Sequence, residues 1–455
     1  MWRFSCSRRG RVLSRALRCR SAAALSLAIA GLGRNSSIAL PGGHLNPVVI
    51  TAVSTQDARF QLKPGEGVDA IHTNPQYAYA VTLLHTDASV SGVGLALTLG
   101  AGTEMVCDAI EVLARPLVGR EIEELMASFG QVFRQIADHP QLRWLGPHKG
   151  VVHLALASLT NACFDLWAKA RGVPLWKLLV DLTPAAILAL LDLSYLEDVL
   201  RPEDVLRLLE QEALHRRERE PILAQGYPGY DTSVGWFHYS DDQVRDNTRR
   251  AVDAGFLAMK LKVGSPDAAR DIRRALLVRD AAGPDVQIML DANQQWTLPI
   301  ALRTCLELAA MHPYWIEEPT HPDDVLAHQT LARAIAPVHV AAGEHIPHRV
   351  LFKNYMQAGA AHFIQVDCTR VGGISEFITV SLLARQFNLP VVPHVGDMGQ
   401  IHQHLVLFNR VALGHEMIFL EYIPHLRDYF RFPALVQGGV YHPPQEPGSS
   451  SDLLG

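Results

Sequence analysis

The sequence predicts an α/β protein in which a closed (β/α) barrel follows a smaller α+β capping domain. Short apolar strands alternate with amphipathic helices through the second half of the chain, as in parallel sheets buried on both faces. Seven polar residues follow these strands at intervals of 29, 26, 27, 23, 27 and 27 residues, about the length of one strand, loop and helix. They are Lys262, Asp291, Glu317, Glu344, Asp367, His394 and Glu421. Each should therefore lie at the carboxyl end of a successive strand, where barrel enzymes carry their catalytic groups.

The composition is that of a soluble protein with two or three domains. The chain has 455 residues, of which 48% are hydrophobic and 19% are charged. Its net charge of -5 argues against a nucleic-acid partner, which would require a basic face. The six cysteines form no CxxC pair, which indicates free thiols in a reducing compartment. We expect a cytoplasmic homo-oligomer that acts on a small molecule, without a membrane partner.

Residues 1–46 differ from the rest and are excluded from the fold. The first 56 residues contain eight arginines, no lysine and no acidic residue. The apolar run at 22–32 is too short to span a bilayer. This composition resembles a transit peptide, and Ser7-Arg8-Arg9 faintly resembles a twin-arginine signal. A mitochondrial or exported protein is thus the alternative to a cytoplasmic one, and a disordered or upstream extension is the alternative to a targeting sequence.

Residues 47–180 predict the cap. Alternating or apolar segments separated by Gly, Pro, Asn and Asp turns favour a small antiparallel sheet, and helical periodicity follows it. The predicted strands are 48–53, 77–85 and 92–98, and the predicted helices are 104–113, 121–137 and 151–170. Gly172 and Pro174 should end the last helix.

Residues 181–422 predict the barrel, with strands and helices alternating from residue 186 onward. The predicted strands are 257–263, 286–290, 314–316, 338–342, 363–366, 390–392 and 418–420, and the helices include 241–254, 267–281 and 375–387. Residues 423–455 are expected to pack back on the cap.

The polar residues at the strand ends predict metal-assisted acid–base chemistry. Asp291, Glu317 and Glu344 offer the oxygen ligands that Mg²⁺ prefers while leaving positions open for substrate. Lys262 could act as a base if its pKa is depressed, and Lys260, two residues away on the same strand face, would depress it by like-charge repulsion. Such a base beside a cation suits removal of a proton next to a carboxylate and stabilisation of the resulting enediolate.

A second acid or base is predicted across the barrel mouth. Asp367 would orient the imidazole of His394 and favour its protonated form. The remaining histidines nearby are expected to be structural or to line the pocket; they are His345, His348, His402 and His404.

At these residues the chain resembles the enolase superfamily, in its mandelate racemase subgroup. The motifs are Lys260-Leu261-Lys262, Asp291-Ala292-Asn293-Gln294, Trp315-Ile316-Glu317-Glu318-Pro319, Gly343-Glu344-His345, Gln365-Val366-Asp367 and Pro393-His394. The resemblance covers nearly everything after residue 47 and implies an enolase-type (β/α)7β-like barrel with a Mg²⁺ cofactor and a Lys or His base. Asn293 and Glu318 are interpreted as supports for the metal ligands and the lysines.

Within this subgroup the chain looks most like the L-fuconate dehydratases. The supporting stretches are Ala70-Ile71-His72-Thr73, Thr98 to Glu104, Leu142 to Pro147 and Gly226-Tyr227-Pro228. The resemblance implies that Lys262 removes the C2 proton of an aldonate and that His394 protonates the departing C3 hydroxyl, giving a 2-keto-3-deoxy sugar acid. It also implies that Glu421, protonated or sharing a proton, binds a substrate carboxylate oxygen, and that His72 of the cap touches the substrate.

Several segments depart from the family pattern. The loop after His394 is about two residues shorter, Pro424 replaces a usual Asp, and Phe237 and His238 replace Leu and Gly. The Ser-rich tail also ends early. These departures leave three alternatives open beside L-fuconate dehydration: another acid-sugar dehydratase, a racemase or epimerase, and a non-catalytic descendant that binds a metabolite or a protein.

Overall fold

A computed structural model describes residues 46–395 and 400–454. The predicted extension, apart from Asn46, lies outside these residues, as do Cys6, Cys19 and most of the shortened loop after His394. The four cysteines within the described residues are buried and free, as predicted; they are Cys107, Cys163, Cys305 and Cys368.

The cap combines a three-stranded antiparallel sheet with five helices. The strands, in the order β1-β2-β3, are β1 (Ile50–Arg59), β2 (Ala78–Thr86) and β3 (Gly92–Thr98), and the helices are α1 (Thr103–Leu113), α2 (Ile122–Met126), α3 (Phe129–Ala137), α4 (Gly150–Ala170) and α5 (Leu175–Asp181). Helix α4 lies directly on β3, since a Cβ at Gly94 would stand 1.9 Å from the carbonyl oxygen of Ser158. Glycine is therefore required there.

The prediction of one continuous helix over 121–137 is wrong. The structure has α2 and α3, and Ser128 interrupts them with non-helical backbone angles (φ -139°, ψ 34°). Met126 and Phe129, on either side of the break, are both buried. The apolar periodicity therefore continues across Ser128 although the helix does not.

Helix α4 is long and apolar enough to cross a membrane by length and composition. However, 89% of its most apolar window is buried inside the protein. Leu156, Phe164 and Leu166 lie in the main hydrophobic core. It is therefore the core helix of the cap.

The barrel follows after a helical connection. Residues 181–226 form α6 (Pro184–Ala189), α7 (Pro202–Ala213), α8 (Arg216–Arg219) and α9 (Ile222–Gln225). The barrel elements are β4 (Tyr227–Gly235), α10 (Asp241–Asp253), β5 (Ala258–Lys262), α11 (Ala268–Ala282), β6 (Gln287–Asp291), α12 (Leu298–Ala309), β7 (Trp315–Glu317), α13 (Val325–Ala334), β8 (His339–Ala342), α14 (Arg349–Ala358), β9 (Phe363–Ile364), α15 (Ile374–Gln386), α16 (Ile401–Leu413) and β10 (Leu420–Tyr422).

The barrel therefore starts at β4, a strand that was not predicted. The chain from residue 186 to β4 was predicted to alternate between strands and helices, but it contains helices α6 to α9 instead.

The parallel strands form a ring. β4 to β9 pair in chain order, Ile364 bridges to Val391, and β10 pairs back with β4. Between Val391 and β10 the described backbone shows no ladder, and the backbone amide of Val395 donates to Glu421 instead (2.9 Å). One apolar side chain from each strand segment except the last fills the ring; they are Tyr230, Ala258, Met289, Trp315, Ala341, Phe363 and Val392. This arrangement confirms the predicted (β/α) barrel with an N-terminal cap.

The segment after the last barrel strand runs back to the cap. It contains a 3-10 helix (Pro424–Tyr429) and the hairpin strands β11 (Val436–Gln437) and β12 (Val440–Tyr441). The backbone amide and hydroxyl of Ser449 donate to Asp165 in α4 (2.7 and 2.9 Å), and Lys169 pairs with Asp452. The Ser-rich tail is therefore buried against α4.

A buried arginine ties the barrel to the cap. Arg349 donates to Asp192 (2.6 Å) and to Glu376 (3.0 Å), and Glu376 also pairs with His153 of α4 (2.7 Å). Removing one member of a buried ion network leaves the others unpaired.

Arg349→Met is therefore expected to lower the free energy of unfolding by about 3–5 kcal/mol in urea titration. The matched control is Arg303→Met, at an exposed position of α12, which should change stability by less than about 0.5 kcal/mol. Equal stability of both variants would contradict this role of Arg349.

Candidate active site

The strand register brings the polar residues to one end of the barrel. Lys262 pairs in register with Asp291, and Asp291 pairs with Glu317. Asn293 and Glu318 have positive φ (43° and 39°), so the chain turns sharply after β6 and β7. Such backbone conformations concentrate at functional sites.

Three carboxylates converge at this end. One oxygen each from Asp291, Glu317 and Glu344 lies within 4.8 Å of the others, and all three residues are buried. Burial, and then repulsion by Asp291, raises the pKa of Glu317 to about 8. Such crowding of anions is stabilised by a divalent cation.

The oxygen atoms available at the same place are suitable ligands for Mg²⁺. The Oε2 of Glu344 and the Oδ1 of Asn293 are buried acceptors without a hydrogen-bond partner among the described residues. All of the convergent ligands are oxygens, and a hard cation prefers oxygen. The residues present therefore fit the predicted cofactor.

Both predicted lysines face these carboxylates. Lys262 donates to Asp291 (2.6 Å), whereas Lys260 contacts Glu317 (2.9 Å), Glu421 (2.8 Å) and Asp291 (3.4 Å). Lys260 is therefore fully occupied with acidic partners, while Lys262 also lines the open cavity.

The expected depression of the lysine pKa is not found in the protein alone. Burial and the charge of Lys260 lower the pKa of Lys262, but Asp291 and Glu344 raise it, and the sum is a raised pKa. The predicted depression considered only the neighbouring cation Lys260, whereas the carboxylates that face Lys262 act in the opposite direction.

His394 lies on the other side of the carboxylates. Its Nδ1 is 2.8 Å from Asp367 Oδ2, and its Nε2 is 3.4 Å from Glu344 Oε2. Burial lowers the pKa of His394, but Glu344 and Asp367 outweigh it and raise the pKa to about 9. An imidazolium in this position can donate a proton into the cavity.

Glu421 belongs to the same site. Its carboxylate accepts from Thr232 (2.6 Å) and from the backbone of Val395 (2.9 Å), and it pairs with Lys260. Burial raises the pKa of Glu421, but the charges of Lys260 and His394 outweigh burial and lower it. This direction opposes a fully protonated Glu421, and a shared proton, the other form that the resemblance implies, stays a prediction.

Asn293 and Glu318 support the ligands in different ways. The backbone amide of Asn293 donates to Asp291 Oδ1 (3.0 Å). Glu318 contacts His345 (3.0 Å), and His345 contacts Glu344 Oε1 (3.1 Å). Glu318 thus acts on the ligand Glu344 through His345, and contacts between Glu318 and the lysines are not found within the described residues.

The cap closes the cavity. His72 lines it, and its Nδ1 is 2.8 Å from Asp69, which also accepts from the backbone amides of Ile71 and His72. Asp69, Trp236 and Arg370 line the cavity as well and were not singled out in the sequence. The sequence could have indicated Asp69, because an aspartate at the start of a turn often accepts hydrogen bonds from backbone amides two or three residues later.

The chain matches two known protein families, one in the cap and one in the barrel. The family described as mandelate racemase / muconate lactonizing enzyme, N-terminal domain, matches residues 49–180, and the family described as enolase C-terminal domain-like matches residues 243–453. The chain belongs to the mandelate racemase subgroup of the enolase superfamily. The family resemblance stated from the motifs is therefore confirmed.

Relatives within this superfamily match over most of the chain. The human mitochondrial enolase superfamily member 1 is 41% identical over 414 residues, 89% of this chain and 93% of the relative. The L-galactonate dehydratase of Hypocrea jecorina is 36% identical over 418 residues, 90% of this chain and 93% of the relative.

Solved structures of the superfamily share the architecture. The crystal structure of the human protein has a TM-score of 0.87 at 40% identity and covers 90% of this chain and 95% of its own. The L-talarate dehydratase of Polaromonas sp. JS666, complexed with Mg and L-glucarate, has a TM-score of 0.69 at 25% identity and covers 90% of this chain and 96% of its own.

Proposed function

We propose that this enolase superfamily member is a Mg²⁺-dependent dehydratase that converts a sugar acid into a 2-keto-3-deoxy sugar acid. The proposal is supported by the position of Lys262 and of His394, which Asp367 holds: both flank one cluster of three carboxylates and both line one cavity. A base and an acid on opposite sides of one substrate suit removal of a proton and of a hydroxyl from neighbouring carbons.

The cofactor is Mg²⁺, and we propose Asp291, Glu317 and Glu344 as its ligands. When bound, the cation supplies the positive charge that stabilises an anion formed next to the substrate carboxylate. With that charge present, the carboxylates of Asp291 and Glu344 would raise the pKa of Lys262 less.

The chain's own residues would then move two protons. Lys262 takes the C2 proton, and the electron pair of that bond moves toward the substrate carboxylate, giving an enediolate that can still take a proton back at C2. His394, held by Asp367, then donates a proton to the C3 hydroxyl, and the electron pair forms the C2–C3 double bond as that hydroxyl leaves as water. The enol then takes a proton at C3 and becomes the 2-keto-3-deoxy acid.

The other predicted residues would bind and orient the substrate. Glu421 lines the cavity and pairs with Lys260 (2.8 Å), and a proton shared within this pair would let Glu421 bind a substrate carboxylate oxygen. His72, oriented by Asp69, projects from the cap and would meet hydroxyls farther along the sugar.

L-fuconate is the proposed first substrate, with L-galactonate beside it. The two acids differ by the hydroxyl at C6, and the Hypocrea jecorina relative is named as an L-galactonate dehydratase.

A panel of acid sugars tests the proposal. Purified protein with Mg²⁺ is incubated with L-fuconate, L-galactonate and galactarate, and 2-keto acid formation is measured. We expect product from L-fuconate or L-galactonate. The absence of 2-keto acid from all three would count against dehydration of this substrate class.

Chelation provides a second prediction. EDTA is expected to abolish turnover and to lower the melting temperature, because a ligand at 100 times its Kd stabilises the folded state by about 2.7 kcal/mol. Added Mg²⁺ should restore both, and in Glu317→Gln the melting temperature should respond much less to Mg²⁺. Turnover that survives EDTA would contradict the proposed metal site.

Racemisation or epimerisation at C2 is the second candidate. It is favoured by the same observation, since Lys262 and His394 on opposite sides could exchange a proton at C2 without loss of the hydroxyl. The C2-exchanged or C2-inverted acid would then be the product in place of a 2-keto acid.

A further inference from the structure

A second histidine holds the carboxylate that holds His394. His402, in the first turn of α16, is only 2% exposed, and its Nε2 is 2.8 Å from Asp367 Oδ1 and 3.4 Å from Cys368 Sγ. His394 contacts the other oxygen of Asp367 at 2.8 Å. One buried carboxylate therefore carries an imidazole on each of its oxygens.

In the hydrogen bond between His402 and Asp367, the imidazole is the donor and the carboxylate is the acceptor. Burial alone would raise the pKa of Asp367, but His402 and His394 outweigh it and lower the pKa, so the carboxylate is ionised and accepts. Its Oδ1 also accepts from the backbone amide and the hydroxyl of Thr369 (2.7 Å each). The Nε2 of His402 therefore carries a hydrogen. Its Nδ1 has no partner among the described residues, so the ring's one strong hydrogen bond is the bond to Asp367.

We propose that His402 is a positioning residue for His394. With Oδ1 held by His402 and Thr369, Asp367 keeps the rotamer in which Oδ2 faces His394 Nδ1. That contact fixes the imidazole plane and places the hydrogen of the other nitrogen, Nε2, on the cavity side. His402 contacts neither the lysines nor the three-carboxylate cluster among the described residues, so it acts on the departure of the C3 hydroxyl alone.

The same helix offers a matched control. His404 is also buried, but its Nδ1 accepts from the backbone amide of Trp176 in α5 (3.1 Å) and has no contact with Asp367. His402→Val and His404→Val remove the same side-chain atoms from neighbouring positions. Loss of general packing should affect both variants, whereas loss of positioning should affect only the first.

The kinetic test rests on the proposed function. The wild type and variants, with Mg²⁺, are given L-fuconate and L-galactonate in D₂O, and 2-keto-3-deoxy product and C2 deuterium exchange are measured together. In His402→Val we expect kcat for dehydration to fall by about 10- to 100-fold, as for other residues that orient a functional histidine. Exchange at C2 and KM should change by less than about 3-fold, and His402→Gln, which can still donate to Asp367, should recover most of the loss.

A second readout does not depend on turnover. In ¹⁵N-histidine-labelled protein, the Nδ1 proton of His394 is assigned by its loss in His394→Asn. It should exchange with solvent faster in His402→Val and remain protected in His404→Val and His402→Gln. Equal protection in all variants, or equal loss of exchange and dehydration in His402→Val, would overturn the proposal. A wild type that shows the protected proton but forms no product would contradict the dehydratase function and leave the positioning role supported.

Discussion

Lys262→Ala is expected to lower kcat for 2-keto acid formation by about 10²- to 10⁴-fold, the usual contribution of a positioned general base. Deuterium exchange at C2 should fall with it, because the same residue would break the C2–H bond. The reason is positional: Lys262 ends β5, in register with Asp291, and is one of the two buried lysines that face the carboxylate cluster. Lys260 cannot replace it, because Glu317 and Glu421 occupy its ammonium.

The control for this variant is Lys177→Ala, at an exposed ion pair on α5. It should keep full turnover. Circular dichroism and the melting temperature check that Lys262→Ala is folded. Wild-type turnover in folded Lys262→Ala would contradict the assignment of Lys262 as the base. A wild type without any turnover would instead favour the non-catalytic descendant.

His394→Asn is expected to separate the two halves of the reaction. Dehydration should fall by about 10²- to 10⁴-fold, because the acid that protonates the C3 hydroxyl is gone. Exchange of the C2 proton with solvent should persist, because Lys262 and the carboxylate cluster remain. The imidazole is suited to this role since Glu344 and Asp367 outweigh its burial and raise its pKa to about 9, so it carries a proton at neutral pH.

The two activities are followed by proton NMR of L-fuconate and L-galactonate in D₂O. His339→Asn, at the opposite end of the barrel where β8 begins, is the control and should retain both. Loss of C2 exchange together with dehydration in His394→Asn would contradict the division of work between the lysine and the histidine.

The spacing of polar residues was a good predictor because a βα unit has a nearly constant length. Lys262, Asp291 and Glu317 follow consecutive apolar strands, and parallel pairing then places them side by side. The strand β4 was missed because Pro228, Gly229 and Gly235 interrupt any apolar run in it. Its pairing with neighbours on both sides forms it despite this weak local preference.

Contacts between segments far apart in the chain could not be predicted from the sequence. Thr232 meets Glu421 across 189 residues, and His402 meets Asp367 although it stands on a helix outside the regular spacing. The pKa of Lys262 also depends on the sum of all its neighbours, so its direction could not follow from Lys260 alone. The choice among sugar acids depends on the cap and loops, where His72 and Asp69 lie.

The fate of L-fuconate and L-galactonate with wild-type protein and Mg²⁺ in D₂O decides between dehydration and proton exchange at C2. The proposed dehydration gives a 2-keto-3-deoxy acid with deuterium at C3, formed at a rate that Lys262→Ala abolishes. Deuterium at C2 of the recovered acid, or its C2 epimer, without any 2-keto acid would contradict dehydration and favour a racemase or epimerase.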